Sequence, residues 1–323
     1  MIEEIGGFFE LEINKQYPEF HNAIALNTAR NAFEYILLAK NYKKIYIPYY
    51  YCDVLLEPLK RNSIQYEFYS INKDLDPKNS FIPEKDDAIL YINYFGIKDL
   101  TANLLSKMYK NMIIDNSQAF FSNPIPDVDL FYSPRKFFGV PDGSYLYTDQ
   151  FLNQHFEKDS SYNRVNHLIH RIENGASNAY LEFLENETSL MNQPIKEMSE
   201  FTHFVLQSID YKKAQQKRIE NFNYLHHFLS NKNELTSIIE KNMISGALVY
   251  PYLIKNDSLK QFLISHKIYI ATYWKNVPDS VDKNTFEYYL AQNLIPLPID
   301  HRYGIKEMQL MINLIKKYES CID

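Results

Sequence analysis

The sequence has few of the residues on which several common kinds of site depend. It has 8 glycines in 323 residues and no Gly-x-Gly-x-x-Gly motif, which argues against a nicotinamide-binding Rossmann domain. Its two cysteines, Cys52 and Cys321, are too far apart in sequence to suggest a disulfide framework, and Cys52 is interpreted as a buried thiol. His167 and His170 lie three residues apart on a predicted helix, but no third ligand is spaced to complete a metal site. We therefore expect no metal and no disulfide chemistry.

Hydropathy and charge exclude two further classes of protein. No apolar run is long enough to span a bilayer, and no apolar signal-peptide core follows the acidic start Met1-Ile2-Glu3-Glu4. The net charge is -6, and Lys and Arg do not cluster on a face that would bind nucleic acid. With 46% hydrophobic and 23% charged residues, the composition is that of a globular protein. We expect a cytoplasmic protein that binds neither membranes nor nucleic acid.

The first half of the chain alternates short β-rich runs with helical patterns. Runs that read as strands end near Pro48, Asn93, Asp115 and Ser133. This alternation predicts an α/β fold with three layers and a mostly parallel sheet. Because ligands bind at the carboxyl ends of parallel strands, a functional site is expected at that edge of the sheet.

The second half has a different pattern. Residues 155–229 read as helical, and strands are predicted at 246–254, 267–271 and 294–297, with helices at 258–265 and 305–318 between and after them. This is the pattern of a small α/β domain. We place the boundary near residue 205, which gives a large domain over residues 1–205 and a small C-terminal domain over residues 206–323.

The segment that indicates a chemistry runs from Met112 to Leu146. One apolar strand ends on Asp115, and a second is followed by Ser133 and, three residues later, by Lys136; the turn Asp142-Gly143 closes the segment. Pyridoxal phosphate (PLP) enzymes need a lysine amine for the Schiff base, a carboxylate that keeps the pyridine nitrogen protonated, and a hydroxyl near the phosphate. The order and spacing predict a PLP site with Lys136 at its centre. The apolar residues after Lys136 are expected to desolvate its amine.

Three further features fit the same pocket. Gln118, about one turn after Asp115, is placed to reach the ring hydroxyl region of the cofactor. Thr28-Ala29-Arg30 opens a predicted helix, whose free N–H groups and positive dipole end suit a phosphate. Tyr51, among the tyrosines that follow Pro48, is a candidate for stacking on the ring. Each also has an ordinary explanation as a turn, a cap or a packing residue.

Several motifs together resemble one family. They are Gly6-Gly7-Phe8-Phe9-Glu10-Leu11, Thr28-Ala29-Arg30-Asn31-Ala32, Asn93-Tyr94-Phe95-Gly96, Asp115-Asn116-Ser117-Gln118-Ala119, Ser133-Pro134-Arg135-Lys136 with Asp142-Gly143, Arg218-Ile219-Glu220-Asn221-Phe222 and Leu294-Ile295-Pro296-Leu297-Pro298. In these segments the chain resembles the DegT/DnrJ-type PLP-dependent sugar aminotransferases, which have the fold type I of aspartate aminotransferase.

The resemblance implies a role for each site residue. It implies that Lys136 bonds to the cofactor, that Asp115 holds the pyridine nitrogen, and that Gln118 lies near the ring oxygen. It places Thr28, Ala29, Arg30 and Ser133 around the phosphate. It further implies a homodimer with active sites at the interface, and a ping-pong reaction in which glutamate donates the amino group and a keto sugar nucleotide accepts it.

The chain also departs from the family pattern. Phe131 stands where many members have a phosphate-binding serine, Ala29 where glycine is frequent, and Ser144 where a second glycine is usual; Tyr51-Cys52 replaces a typical Thr-Phe. Two alternatives therefore stay open, a PLP enzyme of another reaction type (dehydratase, epimerase or lyase) and an inactive binding relative. Sugar dehydratases that resemble this family have histidine in place of the lysine, whereas this chain retains Lys136.

Overall fold

The structure, a computed structural model, describes residues 11–14, 20, 22–78, 82–255 and 258–321. Residues 6–10 of the opening motif lie outside the described residues. The strands are β1 (Ile24–Leu26), β2 (Lys44–Pro48), β3 (Gln65–Tyr69), β4 (Asp87–Ile92), β5 (Met112–Asn116), β6 (Asp129–Tyr132), β7 (Ser144–Tyr147), β8 (Val249–Leu253) and β9 (Leu294–Pro298). The helices are α1 (Ala29–Lys40), α2 (Leu56–Arg61), α3 (Asp99–Met108), α4 (Asn166–Asn174), α5 (Tyr180–Ser189), α6 (Glu200–Gln207), α7 (Tyr211–Leu229), α8 (Thr236–Glu240), α9 (Leu259–Ser265), α10 (Val277–Ser280), α11 (Phe286–Asn293) and α12 (Ile305–Glu319).

The large sheet has the strand order β1-β7-β6-β5-β4-β2-β3. Strands β2 to β6 pair in parallel, whereas β7 runs antiparallel to both β6 and β1. Every residue of β4 and β5 is buried, as expected for central strands of a parallel sheet that is covered on both faces. The predicted α/β fold with a mostly parallel sheet is confirmed.

The carboxyl ends of three neighbouring strands meet at one edge, as the sequence predicts. In the register of the sheet, Asp115 lies opposite Ile92 of β4 on one side and opposite Phe131 of β6 on the other. The Asn93 N–H, just beyond β4, donates to the Asp115 carbonyl at 3.0 Å. The segments that follow β4, β5 and β6 therefore start side by side.

Helix α1 begins where the sequence predicts a cap. The Thr28 hydroxyl accepts from the Asn31 N–H at 3.2 Å, and the helix ends at Asn41, which has left-handed φ of 54°. Helix α1 packs against β6 and β7, so its N-terminus lies near the lysine segment that follows β6.

The small sheet consists of β8 and β9, which pair antiparallel, and α7 packs against β8 and α12. The strand predicted at 267–271 is wrong. Lys267 instead ends α9 in left-handed conformation with φ of 63°, and the N–H groups of Lys267 and Ile268 donate to Ile264 and Leu263 carbonyls in a helix-ending motif. The two sheets lie on opposite sides of residue 205 in sequence, and the boundary there stays a prediction. Among the described helices, none combines the length and apolar character needed to cross a membrane.

Candidate cofactor site

Lys136 lies at the end of a 3₁₀ turn, Pro134–Lys136, that directly follows β6. Proline at the first position fixes φ for the turn, and the N–H groups of Phe137 and Phe138 donate to the Pro134 carbonyl at 2.9 and 2.8 Å. The rings of Phe137 and Phe138 are buried against Phe120, with centroids 5.5 and 5.0 Å apart. They anchor the turn, while the Lys136 side chain itself is exposed. The expected desolvation of the amine is therefore wrong, because the apolar residues that follow it pack into the core.

Asp115 is buried beside Lys136. Its carboxylate accepts from the Ser117 N–H at 2.7 Å. Burial raises the pKa of Asp115, and the Lys136 ammonium and the Ser117 hydrogen bonds oppose that rise. The Lys136 ammonium is near enough to lower the pKa of this carboxylate, so the two residues that the sequence analysis paired lie close together.

Cys52 lies near Lys136 and Asp115, although the sequence analysis interprets it only as a buried thiol. Burial raises the pKa of the Cys52 thiol, and the first opposing influence is again the Lys136 ammonium. In the resembled family, the pair at Tyr51-Cys52 is typically Thr-Phe, and Cys52 stands in the position of the phenylalanine. This departure from the family pattern is the sequence signal that could have pointed to Cys52 as a site residue.

Tyr51 faces elsewhere. Its ring packs against Phe68 with centroids 5.2 Å apart, and its carbonyl accepts from Asn276 at 3.2 Å. Among the residues that the structure describes, neither its hydrogen bonds nor its ring contacts involve Lys136 or Asp115. The structure brings Cys52, rather than Tyr51, to these two residues.

Gln118 presents a free donor. Its side-chain carbonyl accepts from the Phe95 N–H at 2.8 Å, an arrangement that fixes the amide orientation because a backbone N–H can face only an acceptor. The Nε2 group is buried and has no hydrogen-bond partner among the described residues. Gly96 allows this close approach: its φ is +74°, and a Cβ there would lie 2.8 Å from the Gln118 backbone carbonyl oxygen. A ligand group that accepts a hydrogen bond from Nε2 would satisfy the site.

The start of α1 offers backbone donors for an anion. The amides of Ala29 and Arg30 are the first two of the helix, which have no intrahelical carbonyl partner. The Arg30 guanidinium pairs with Glu57 at 2.5 Å, so the main chain rather than this side chain is available for the predicted phosphate. The Thr28 hydroxyl caps the helix, and Ser133 is buried at the end of β6.

Gly143 holds the lysine segment against the start of α1. Its N–H donates to the Asn27 carbonyl at 2.6 Å. Its φ is +116°, and a Cβ would lie 3.0 Å from Thr202 and 3.2 Å from Met198 and Pro134 side chains. The backbone conformation at this position therefore favours glycine, and a Cβ would also press on three neighbouring side chains.

Two residues from the second half of the chain, to which the sequence analysis assigned no role of their own, contact segments around the site. Arg218 is buried; it donates to Ala247 and Leu248 carbonyls at 3.1 and 3.2 Å and lies 4.6 Å over the Phe137 ring. The Tyr273 carbonyl accepts from the Tyr50 hydroxyl at 2.5 Å. Burial raises the pKa of Tyr273 to about 12, with a further rise from neighbouring Cys52.

Comparisons with known proteins bear on the fold. No protein-family model matches the chain, and no curated protein matches its sequence. A solved DegT DnrJ EryC1 StrS aminotransferase from Brucella abortus is 13% identical with a TM-score of 0.60, over 92% of this chain and 85% of that chain. The chain has the fold of that aminotransferase.

Two more solved structures share this aminotransferase fold. Spr1654 from Streptococcus pneumoniae, in its PLP form, is 13% identical with a TM-score of 0.62, over 93% of this chain and 88% of that chain. DesI, solved in the presence of its TDP-sugar product, is 11% identical with a TM-score of 0.62, over 91% of this chain and 79% of that chain. The resemblance inferred from the motifs is thus confirmed at the level of the fold.

Proposed function

We propose that the protein is a PLP-dependent aminotransferase that moves the amino group of L-glutamate to a keto sugar nucleotide. The observation that carries the proposal is the proximity of the exposed Lys136 amine to the buried Asp115 carboxylate; Gln118, three residues after Asp115, adds a buried donor with no partner among the described residues. Each has a counterpart on PLP, and the aminotransferase fold supports the assignment.

The residues fit PLP group by group. The ring oxygen of PLP is an acceptor that would satisfy Nε2 of Gln118, which otherwise stays buried without a partner. A protonated pyridine nitrogen would offset the cost of burying the Asp115 charge. The phosphate would bind at the N-terminus of α1, through the amides of Ala29 and Arg30, with the Ser133 hydroxyl at the neighbouring strand end.

The chemistry then divides between cofactor and protein. When bound, PLP supplies an electron-withdrawing ring that stabilises negative charge on the substrate carbon. Lys136 would hold the cofactor through its amine and would be the base that moves the proton. Asp115 would keep the ring nitrogen protonated, and Cys52 lies near enough to both residues for their charges to act on its pKa.

The finer parts of the proposal rest on the resemblance. A nucleotide-linked sugar as acceptor is supported by DesI, which was solved with its TDP-sugar product. Glutamate as donor, a homodimer with active sites at the interface, and a cytoplasmic location stay predictions.

Absorption spectroscopy tests cofactor binding. Purified protein mixed with PLP should show the visible absorption of a lysine-bound cofactor, and Lys136→Ala should abolish it. Lys43→Ala is the matched control, since Lys43 is an exposed lysine paired with Asp86 away from this site. A protein that stays colourless with excess PLP contradicts the proposal.

Half-reactions separate transamination from the alternatives. L-glutamate alone should bleach the visible band and release one equivalent of 2-oxoglutarate, and a keto sugar nucleotide should then restore the band. A dehydratase, epimerase or lyase would bind PLP without releasing 2-oxoglutarate, and an inactive relative would do neither half-reaction.

A further inference from the structure

Arg218 of α7 is a buried cation, with only 1% of its surface exposed. Among the residues that the structure describes, no carboxylate forms an ion pair with it, and the acid whose charge acts on it, Asp300, is already paired with Arg302 at 2.7 Å. Burial lowers the pKa of Arg218 to about 10, so the guanidinium is still charged at neutral pH. A buried charge is costly, and an apolar side chain of similar volume would fill the same space at lower cost. Packing alone therefore does not explain an arginine at this position.

The Arg218 guanidinium joins two segments that are far apart in the chain. Nη1 donates to the Ala247 and Leu248 carbonyls at 3.1 and 3.2 Å, and Nη2 donates to the Phe137 carbonyl at 3.4 Å. The guanidinium carbon lies 4.6 Å from the centre of the Phe137 ring. Because Phe137 directly follows Lys136, the arginine holds the main chain at the end of the lysine turn. The planar fork of donors suits such a bridge, since its directions are fixed.

The segment just before β8 extends this connection to the Gln118 amide. The Leu248 N–H donates to the Phe95 carbonyl at 2.9 Å, and the Phe95 N–H donates to the Gln118 side-chain oxygen at 2.8 Å. A Cβ at Gly96 would lie 3.3 Å from the Ala247 Cα, so the two main chains are in close contact. Segment 247–248 is thus bonded on one side to the arginine and on the other to the residue that orients the amide.

Helix α7 holds this segment at a second point. Gln215 lies one turn before Arg218, and its Nε2 group donates to the Ser245 carbonyl at 2.7 Å. The intervening Gly246 has φ of +106°, and a Cβ there would lie 3.1 Å from the Gln215 Cγ atom. The position of segment 245–248 therefore depends on two neighbouring residues of α7.

We propose that Arg218 is a positioning residue of the cofactor site, which fixes the lysine turn and the Gln118 amide relative to each other. The inference rests on the proposed function, in which Lys136 bonds to the cofactor and Gln118 donates to its ring oxygen. Both groups meet one rigid ring, so a small error in their relative placement weakens both contacts. Arg218 is the contact that they share, because its loss releases the Phe137 carbonyl and segment 247–248 together.

Arg218→Met tests this role, since methionine keeps an unbranched apolar chain but removes the charge and the donors. The probes are PLP, which can bond to Lys136, and pyridoxamine phosphate, whose amine cannot. In fluorescence titrations of the whole chain in its PLP-free form, the variant should weaken PLP binding roughly tenfold, the size of effect expected for a lost hydrogen bond from a charged group. Binding of pyridoxamine phosphate should weaken less, because it does not depend on the lysine bond.

Asn221→Ala is the matched control. Asn221 lies one turn after Arg218 in the same helix, is fully buried, and donates to the Ile299 and Tyr303 carbonyls, both at 3.1 Å. Its loss should lower the free energy of unfolding in urea without changing the ratio of the two affinities. Arg218→Lys keeps the charge but lacks the planar fork, so it should show the same preferential loss of PLP at smaller size. This second variant supplies the test if Arg218→Met does not fold.

A double variant tests the connection to the amide. If Arg218 holds Gln118 in place, then Gln118→Ala should cost less affinity for pyridoxamine phosphate in the Arg218→Met protein than in wild type. The two changes together should therefore weaken binding by less than the product of their separate factors.

The results that overturn the inference differ from those that overturn the aminotransferase. Equal losses of the two affinities in Arg218→Met, or the same preferential loss of PLP in Asn221→Ala, would make the arginine a packing residue even in an active aminotransferase. Independent effects of Arg218→Met and Gln118→Ala would also overturn the inference, because the arginine would then act on one group only. A wild type that binds neither PLP nor pyridoxamine phosphate overturns the aminotransferase itself, and with it the role of Arg218 toward a cofactor.

Discussion

Replacing Gly96 with alanine tests the close approach that orients Gln118. At φ of +74°, an L-residue costs roughly 1–2 kcal/mol. The added Cβ would lie 2.8 Å from the Gln118 carbonyl oxygen and 3.3 Å from the Ala247 Cα, both backbone atoms that cannot rotate away. Overpacking of this kind costs roughly 1–3 kcal/mol. The free energy of unfolding should therefore fall by about 2–5 kcal/mol, from a total of about 5–15 kcal/mol for a typical domain.

Two other glycines supply matched controls. Gly175 has φ of +83° with no atom within 4 Å of a Cβ, so Gly175→Ala should lose only the roughly 1–2 kcal/mol of backbone strain. Gly139 lies in the lysine segment itself, but its Cβ would meet only Leu168 at an ordinary 3.7 Å. Gly139→Ala should change stability by less than about 1 kcal/mol.

Urea unfolding can rank the three variants through the fluorescence of Trp274. This is the single tryptophan of the chain, and it is buried with its ring 4.7 Å from that of Tyr50. Gly96→Ala should also weaken PLP binding more than either control, because it displaces the segment that carries Gln118. If Gly96→Ala and Gly175→Ala are equally stable, the added Cβ at residue 96 does not clash with the neighbouring backbone atoms. If Gly139→Ala is equally stable as well, a positive φ does not cost the expected strain energy.

Three further predictions concern single side chains. Burial raises the pKa of Asp115 above its ordinary 3.8, so the charged carboxylate destabilises the PLP-free protein at neutral pH. In urea unfolding near pH 8, Asp115→Asn should therefore be more stable than wild type, and the difference in stability should disappear as the pH falls toward 3.8. A wild type that is more stable than Asp115→Asn near pH 8 would contradict this. Cys52→Phe should tighten PLP binding by about 0.5–1.5 kcal/mol through ring stacking, as measured by fluorescence titration. If Tyr51→Leu changes PLP binding by more than Cys52→Phe does, Tyr51 is the stacking residue instead. Burial lowers the pKa of His301 below 6.5, so the free energy of unfolding should decrease as the pH falls through 6.5. His301→Gln should reduce this pH dependence in urea titrations between about pH 5 and pH 8. If the free energy of unfolding of the variant changes with pH as steeply as that of wild type, His301 does not cause the dependence.

The sheet and the proximity of Asp115 to Lys136 were predictable because they depend on local patterns. Buried parallel strands need continuous apolar runs, and such runs mark β4, β5 and β6 directly in the sequence. Once the strands are parallel, their carboxyl ends must share an edge, so Asp115 near the end of β5 and Lys136 just beyond β6 come together without further information. The strand predicted at 267–271 failed because a helix-ending motif at Lys267 satisfies the same backbone groups.

The sequence by itself thus determined the type of fold and the proximity of Asp115 to Lys136. Only the tertiary structure decided that Cys52 rather than Tyr51 lies near Lys136, and that Nε2 of Gln118 is left without a hydrogen-bond partner among the described residues. The physical reason is that these relations depend on contacts between segments far apart in the chain. Local hydropathy therefore cannot predict which side chain lies toward the site. It also cannot predict which buried hydrogen-bonding group has no partner.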